Sequence, residues 1–176
     1  GLSQAVLDAV ARSTGRLMCE VVADEYGTRV SERALPIFSQ SGDDRYKNAD
    51  KMIIKEVDVL PHALINNMEK LGPNGDHLAD YLFWLRERVL RFRAREDYEP
   101  VFHIDVYGTI GELFGTTNIE GIADYLKRLE AITNPFKLRI EGPLDAGTKE
   151  GQIKWLAELT RAVDEGGIAV ELVADE

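Results

Sequence analysis

Three acidic residues close three apolar segments at nearly equal intervals along the chain. Asp105 lies in Pro100–Tyr107, Glu141 follows Phe136–Ile140 and Asp175 follows Ile168–Ala174. Glu141 comes 36 residues after Asp105, and Asp175 comes 34 after Glu141. Each interval is the length of one strand and one returning helix. In a barrel of such units the C-terminal strand ends open on one mouth, so carboxylates far apart in sequence meet there. With one cysteine and three histidines in 176 residues, the converging donors are hard oxygens, which suit Mg²⁺ better than Zn²⁺ or copper. Mg²⁺ at such a mouth takes the oxygens of a substrate carboxylate and stabilises the charge left when the adjacent C–H loses its proton. The chemistry expected is therefore proton abstraction next to a carboxylate. A single acidic residue at a strand end also serves as a helix cap or a solvated loop charge; three in phase are what favour the site.

Five other polar residues flank this pattern. His62 ends a stretch directly after Pro61, and its unperturbed pKa near 6.5 suits a general acid or base. His103 lies two residues before Asp105, on the same strand face, and reads as a packing histidine or one that supports a ligand. By the same alternation Arg139 lies beneath Glu141 and is placed to orient its carboxylate. Gln40 ends the first apolar segment and offers a hydrogen bond to a substrate carboxylate or amide. Lys55, read as mid-strand, is structural.

The elements that must position these groups alternate in type. Leu2 to Val22 has helical periodicity, interrupted near Ser13 to Gly15. Ala34–Phe38 reads as a strand with a polar loop after it, and Lys51–His62 reads as a second strand. Helical segments follow at Ala63–Leu71 and through the stripe Leu78, Leu82, Leu85, Val89 and Leu90. Strand Pro100–Tyr107, helix Ile119–Ala131, strand Phe136–Ile140, helix Gly151–Asp164 and strand Ile168–Ala174 complete the chain. Strands alternating with helices mean parallel strands joined by crossovers, an α/β fold. A closed barrel takes eight strands and typically about 250 residues. Five strands in this length read as part of a longer enzyme.

Charge narrows the partners. Lys and Arg number 21 against 31 Asp and Glu, a net charge of −10, the wrong sign for tracking phosphates. The run Arg86, Arg88, Arg91, Arg93 and Arg95 is interleaved with core-facing leucines and reads as a solvated helix face or subunit contact. The apolar stretches fall far short of the roughly 20 residues that span a bilayer, and the first residues given show no basic region leading into an apolar one, so neither a membrane span nor a secretion signal is expected in them. With Cys19 as the single cysteine, no internal disulfide is possible and the cytoplasm is the expected compartment.

The strings Ser39-Gln-Ser-Gly-Asp-Asp-Arg-Tyr46, Lys51-Met-Ile-Ile-Lys55, Val59-Leu-Pro-His-Ala-Leu-Ile-Asn66, His103-Ile-Asp-Val-Tyr-Gly108, Leu138-Arg-Ile-Glu-Gly-Pro143 and Glu171-Leu-Val-Ala-Asp-Glu176 together resemble the methylaspartate ammonia-lyases of the enolase superfamily. That resemblance implies an α+β capping domain followed by a TIM-type (β/α) barrel. Residues 1–30 would be the helical end of the capping domain and residues 31–176 the first five barrel strands. It also implies Mg²⁺-dependent elimination of ammonia from L-threo-3-methylaspartate to give mesaconate. Asp105, Glu141 and Asp175 would be the Mg²⁺ ligands, His62 a catalytic acid–base and substrate-binding group, and Gln40 a substrate-binding residue. A monovalent cation such as K⁺, a small amino-acid substrate and a homodimer are expected with it. The family's principal base is a lysine on the strand after the third ligand; this sequence ends before that position, so the fragment alone is expected to be inactive.

Three other readings compete. A cycloisomerase or epimerase of the same superfamily shares the metal triad, which does not name the substrate. A non-catalytic Mg²⁺-binding module of flavodoxin-like fold also gathers acidic residues at strand ends, and Asp43-Asp44 would suit it. The third is an inactive half-barrel.

Overall fold

A computed structural model describes residues 1–174. Within it the chain divides into two compact units, Gly1–Leu35 and the part from Pro36 onward. The first unit is a pair of helices, α1 (Leu2–Thr14) and α2 (Met18–Glu25). The expected interruption is present: Gly15 closes α1 with φ 64°, and its N–H returns to the Ala11 and Arg12 carbonyls, a left-handed cap that glycine adopts without steric cost. The Leu17 N–H then donates to Glu20 Oε2 at 2.7 Å and starts α2. Ala11 and Ala23 are the buried residues of these helices.

The second unit is a parallel sheet with helical crossovers. Its strands are β1 (Val59–Leu64), β2 (Val101–Asp105), β3 (Leu138–Glu141) and β4 (Val170–Val173), hydrogen-bonded in sequence order. The helices are α3 (Arg45–Ile54), α4 (Met68–Leu71), α5 (Asp76–Phe92), α6 (Thr109–Phe114), α7 (Ile119–Thr133) and α8 (Lys149–Glu165). All three strand pairings are parallel, as chains of strand–helix–strand units require.

Side-chain alternation sorts each strand into two faces. Phe102, Ile104, Leu138 and Ile140 are buried with Leu78, Leu82, Leu85 and Val89 of α5 and Ile122, Leu126 and Leu129 of α7 in one core. Those helical residues recur every three or four positions, which is why a single stripe of each helix is dry. Burying each such side chain stabilises the fold by roughly 1.5–3 kcal/mol. His103, Asp105, Arg139 and Glu141 occupy the alternate positions and so share the other face. Asn118 caps α7 and Thr148 caps α8, each accepting from the N–H three residues on.

The observed elements depart from the expected ones mainly before residue 72. Ala34–Phe38 is not a full strand; the chain there is tied beside β1 by two isolated parallel bridges, Phe38 to Val59 and Gly42 to Ala63. Thus four strands, not five, are described, with the first expected strand reduced to those bridges. Lys51–Lys55 is not extended either. It forms the end of α3, where Ala49, Met52 and Ile53 are buried, the i, i+3, i+4 spacing of a helix face. Lys55 is the exposed C-cap of that helix. Ala63 and Leu64 belong to β1 instead of the following helix, which is the single turn α4. The short α6 had no periodic signal because six residues give too few turns to display one.

Candidate functional site

The register of the sheet brings distant residues level. Asp105 pairs directly with Glu141 across β2 and β3, and His103 pairs with Arg139 one step below. On β1 the pairing runs from Pro61↔His103 to Ala63↔Ile104, so His62 is an extra residue in a β-bulge. Its backbone has φ 43°, the left-handed region that non-glycine residues rarely enter and that costs of order 1–3 kcal/mol. The bulge re-aims the imidazole toward the strand ends. His62 Nε2 reaches 3.2 Å from Glu141 Oε2 and 3.8 Å from Asp105 Oδ2. Nε2 is buried and is in line for a hydrogen bond with neither.

His103 is drawn into the same cluster. Its Nε2 lies 2.6 Å from Glu141 Oε2, a hydrogen bond, and its side chain is 5% exposed. Burial holds this imidazole below the usual histidine range; the hydrogen bond to Glu141 and its negative charge pull the other way without overcoming it. The ring of Phe38 covers both imidazoles, with centroids 5.1 Å from His62 and 4.8 Å from His103, and the two imidazoles meet edge-on at 5.0 Å. The ligand atoms of His62, His103 and Glu141 all lie within 4.8 Å of one another. Asp105 is buried and accepts from the Tyr107 N–H through Oδ1 at 3.3 Å.

The loops that follow β2 and β3 are pinned together. The Gly108 N–H donates to the Gly142 carbonyl at 2.7 Å and the Val106 N–H to that of Glu141 at 2.9 Å. Beyond them Tyr107, Leu144, Asp145, Thr148 and Gln152 line a cavity of about 750 Å³.

The other expected groups are placed differently. Gln40 is exposed and lies between Ser39 and Ser41, whose N–H groups donate to the Val59 and Pro61 carbonyls. That tie sets it beside the His62 end of β1. Arg139 Nη2 donates to Glu171 Oε2 at 2.8 Å, so its hydrogen bond goes sideways to β4 while the one on Glu141 comes from His103. Val173 is level with Glu141 on β4; Asp175, two residues further, lies outside the described residues. Two residues before Asp105 on the same strand face, His103 stands one layer below the Asp105–Glu141 pair. The long reach of imidazole from that layer lets it touch Glu141, and the i, i+2 spacing to Asp105 was the available signal. Phe38 carried no signal at all.

The arginine-rich helix makes intrachain contacts. Arg88 binds Asp50 through two hydrogen bonds of 2.6 and 2.7 Å and lies 4.2 Å over the Phe92 ring. Arg86 donates to the Ile132 carbonyl. No helix among the described residues is long and apolar enough to cross a membrane.

Parallel strands carrying carboxylates and imidazoles at their C-terminal ends define a partial (β/α) barrel of the enolase superfamily type. A family model described as the C-terminus of methylaspartate ammonia-lyase matches residues 29–176. The chain belongs to the methylaspartate ammonia-lyase family. It is 53% identical over 177 aligned residues to the methylaspartate ammonia-lyase of Clostridium tetanomorphum, covering all of this chain and 43% of that protein. A structure of β-methylaspartase from Clostridium tetanomorphum, a Mg complex, superposes with TM-score 0.82 at 53% identity over the whole chain and 43% of its own. The Citrobacter amalonaticus enzyme containing (2S,3S)-3-methylaspartic acid matches with TM-score 0.82 at 51% identity, again over the whole chain and 43% of its own. The chain thus spans about two fifths of the length of these relatives.

Proposed function

We propose that this chain is part of a Mg²⁺-dependent carbon–nitrogen lyase that eliminates ammonia from L-threo-3-methylaspartate and gives mesaconate. The observation that carries the proposal is the approach of the His62 Nε2 atom to 3.2 and 3.8 Å from the Glu141 and Asp105 carboxylates at one set of strand ends. The donor set fits a small hard cation: Asp105 and Glu141 supply oxygens on adjacent strands, and the buried Nε2 without a hydrogen bond leaves polar space beside them. Asp105, Glu141 and Asp175 are the proposed ligands. Mg²⁺ bound there would act as a Lewis acid on a substrate carboxylate and so acidify the carbon next to it.

The remaining work falls to protein groups. His62 holds or releases a proton at Nε2 on one side of the substrate, within reach of the carboxylate pair. Gln40 donates from its side-chain amide to a substrate carboxylate. Lys55 does not stand in for the family's lysine base, since it is exposed at the end of α3. In the overall reaction the substrate gives up the proton at C3 and the amine at C2, and the amine leaves as ammonia. Residues 1–30 are proposed as the end of a capping domain. A homodimer, a role for K⁺ and a cytoplasmic location belong to the same reading.

The test is Mg²⁺-dependent release of ammonia and mesaconate from 3-methylaspartate by the full-length protein, with an EDTA control. Product that disappears with EDTA supports the proposal. No product from folded, Mg²⁺-loaded protein rejects it and points to another carboxylate substrate.

A further inference from the structure

Two imidazoles compete for one carboxylate oxygen in this site. Both His103 Nε2 and His62 Nε2 approach Glu141 Oε2, at 2.6 and 3.2 Å respectively, and the His103 contact alone has hydrogen-bond geometry. An ionised carboxylate only accepts, so His103 must donate from Nε2 and carry its proton there. Its Nδ1 is then a bare lone pair, which agrees with that atom being buried without a partner among the described residues. The ring has little freedom to do otherwise. It is 5% exposed, with Phe38 on one side at 4.8 Å and His62 edge-on at 5.0 Å.

We infer, on the reading that Glu141 is a Mg²⁺ ligand, that His103 is a positioning residue with two effects. Its hydrogen bond fixes the rotation of the Glu141 carboxylate toward the ion, as outer partners of metal ligands do. By occupying Oε2 it also keeps Glu141 from capturing the imidazole of His62, whose Nε2 stays available for proton transfer. Had His62 been locked to Glu141, the pair would be a structural ion pair and the site would lack its acid–base group. The bulge at His62 and the hydrogen bond of His103 therefore serve one end: the bulge brings His62 to the carboxylates, and His103 prevents it from being bound by them.

The experiment measures Mg²⁺ affinity by calorimetry on the full-length protein for wild type, His103→Leu and His103→Gln, with thermal midpoints and turnover recorded on the same samples. Glutamine carries its amide nitrogen where imidazole carries Nε2 and keeps the donor; leucine removes it. His103→Leu is expected to bind Mg²⁺ roughly 10–100-fold more weakly, the usual loss when an outer partner is removed, and His103→Gln to recover most of that affinity. Should His103→Leu fail to fold, His103→Asn replaces it, because its shorter amide sits at the Nδ1 position and cannot reach Glu141. Equal Mg²⁺ affinity in wild type and the donor-less variant overturns the inference, and so does equal weakening by Gln and by Leu or Asn. Wild type that binds Mg²⁺ but releases no ammonia rejects the proposed reaction and leaves His103 standing, whereas wild type that binds no Mg²⁺ rejects both.

Discussion

Gly108 sits where the loops leaving β2 and β3 press together, and replacing it separates two physical costs. Its φ is +75°, and an added Cβ would stand 2.8 Å from Asp145 Cβ and 3.1 Å from the Asp145 backbone nitrogen. Carbon atoms rest about 3.5–4.0 Å apart, so alanine intrudes by roughly 1 Å on a neighbour held by backbone. The left-handed conformation costs alanine about 1–2 kcal/mol, and forcing an extra carbon into a packed contact adds about 1–3 kcal/mol. Gly147 is the matched control: its φ is +69°, yet nothing lies within 4 Å of an added Cβ. Gly147→Ala is therefore expected to lose only the conformational part, and Gly108→Ala to lose about 1–3 kcal/mol more. Urea unfolding of both variants and wild type, compared through midpoints at constant slope, reads the difference directly. Equal losses in the two variants would refute the close contact and with it the pinning of the β2 and β3 exits.

Further outcomes follow from other contacts. Asp105→Asn or Glu141→Gln in the full-length protein should lower turnover by orders of magnitude while circular dichroism stays native; near-normal turnover rejects them as ligands. Tyr125 Oη donates to the Gly75 carbonyl at 2.7 Å from a buried position, so Tyr125→Phe should cost about 0.5–1.5 kcal/mol in denaturant midpoint, and an unchanged midpoint would count against that bond. Asp50 is held below the usual carboxylate range by its hydrogen bonds to Arg88. Because its folded pKa is lowered, the pair contributes stability above the ordinary value of 3.8 and loses it as pH falls through the folded pKa. Asp50→Asn should accordingly lower the thermal midpoint at pH 7 and converge with wild type in strong acid; a gap that persists there contradicts the assignment.

Legibility of the chain varied with the physics of each segment. The helices Asp76–Phe92, Ile119–Thr133 and Lys149–Glu165 each expose one face to solvent and bury the other, so their apolar periodicity is visible without coordinates. The segments before them are harder. Lys51–Lys55 places Met52 and Ile53 in the core at the end of a short helix, and a run this brief fits strand or helix equally well. Phe38 is tied beside β1 by an isolated bridge, too little pairing for alternation to register.

The candidate site divides in the same way. The strand period identified Asp105 and Glu141 as neighbours, because a parallel sheet with uniform crossovers repeats its strand ends at a constant interval, and register then sets them side by side. Periodicity carries only that average geometry. The bulge that turns His62 toward the carboxylates, the hydrogen bond that gives Glu141 to His103, and the Phe38 ring over both imidazoles are local departures from it. They depend on one extra residue in a strand, on the reach of a side chain from the layer below, and on packing between segments far apart in the chain. The amino-acid order by itself determined the alternating architecture and the places of Asp105 and Glu141 at strand ends; which atom of which histidine meets which oxygen was decided only when the folded strands fixed their register against one another.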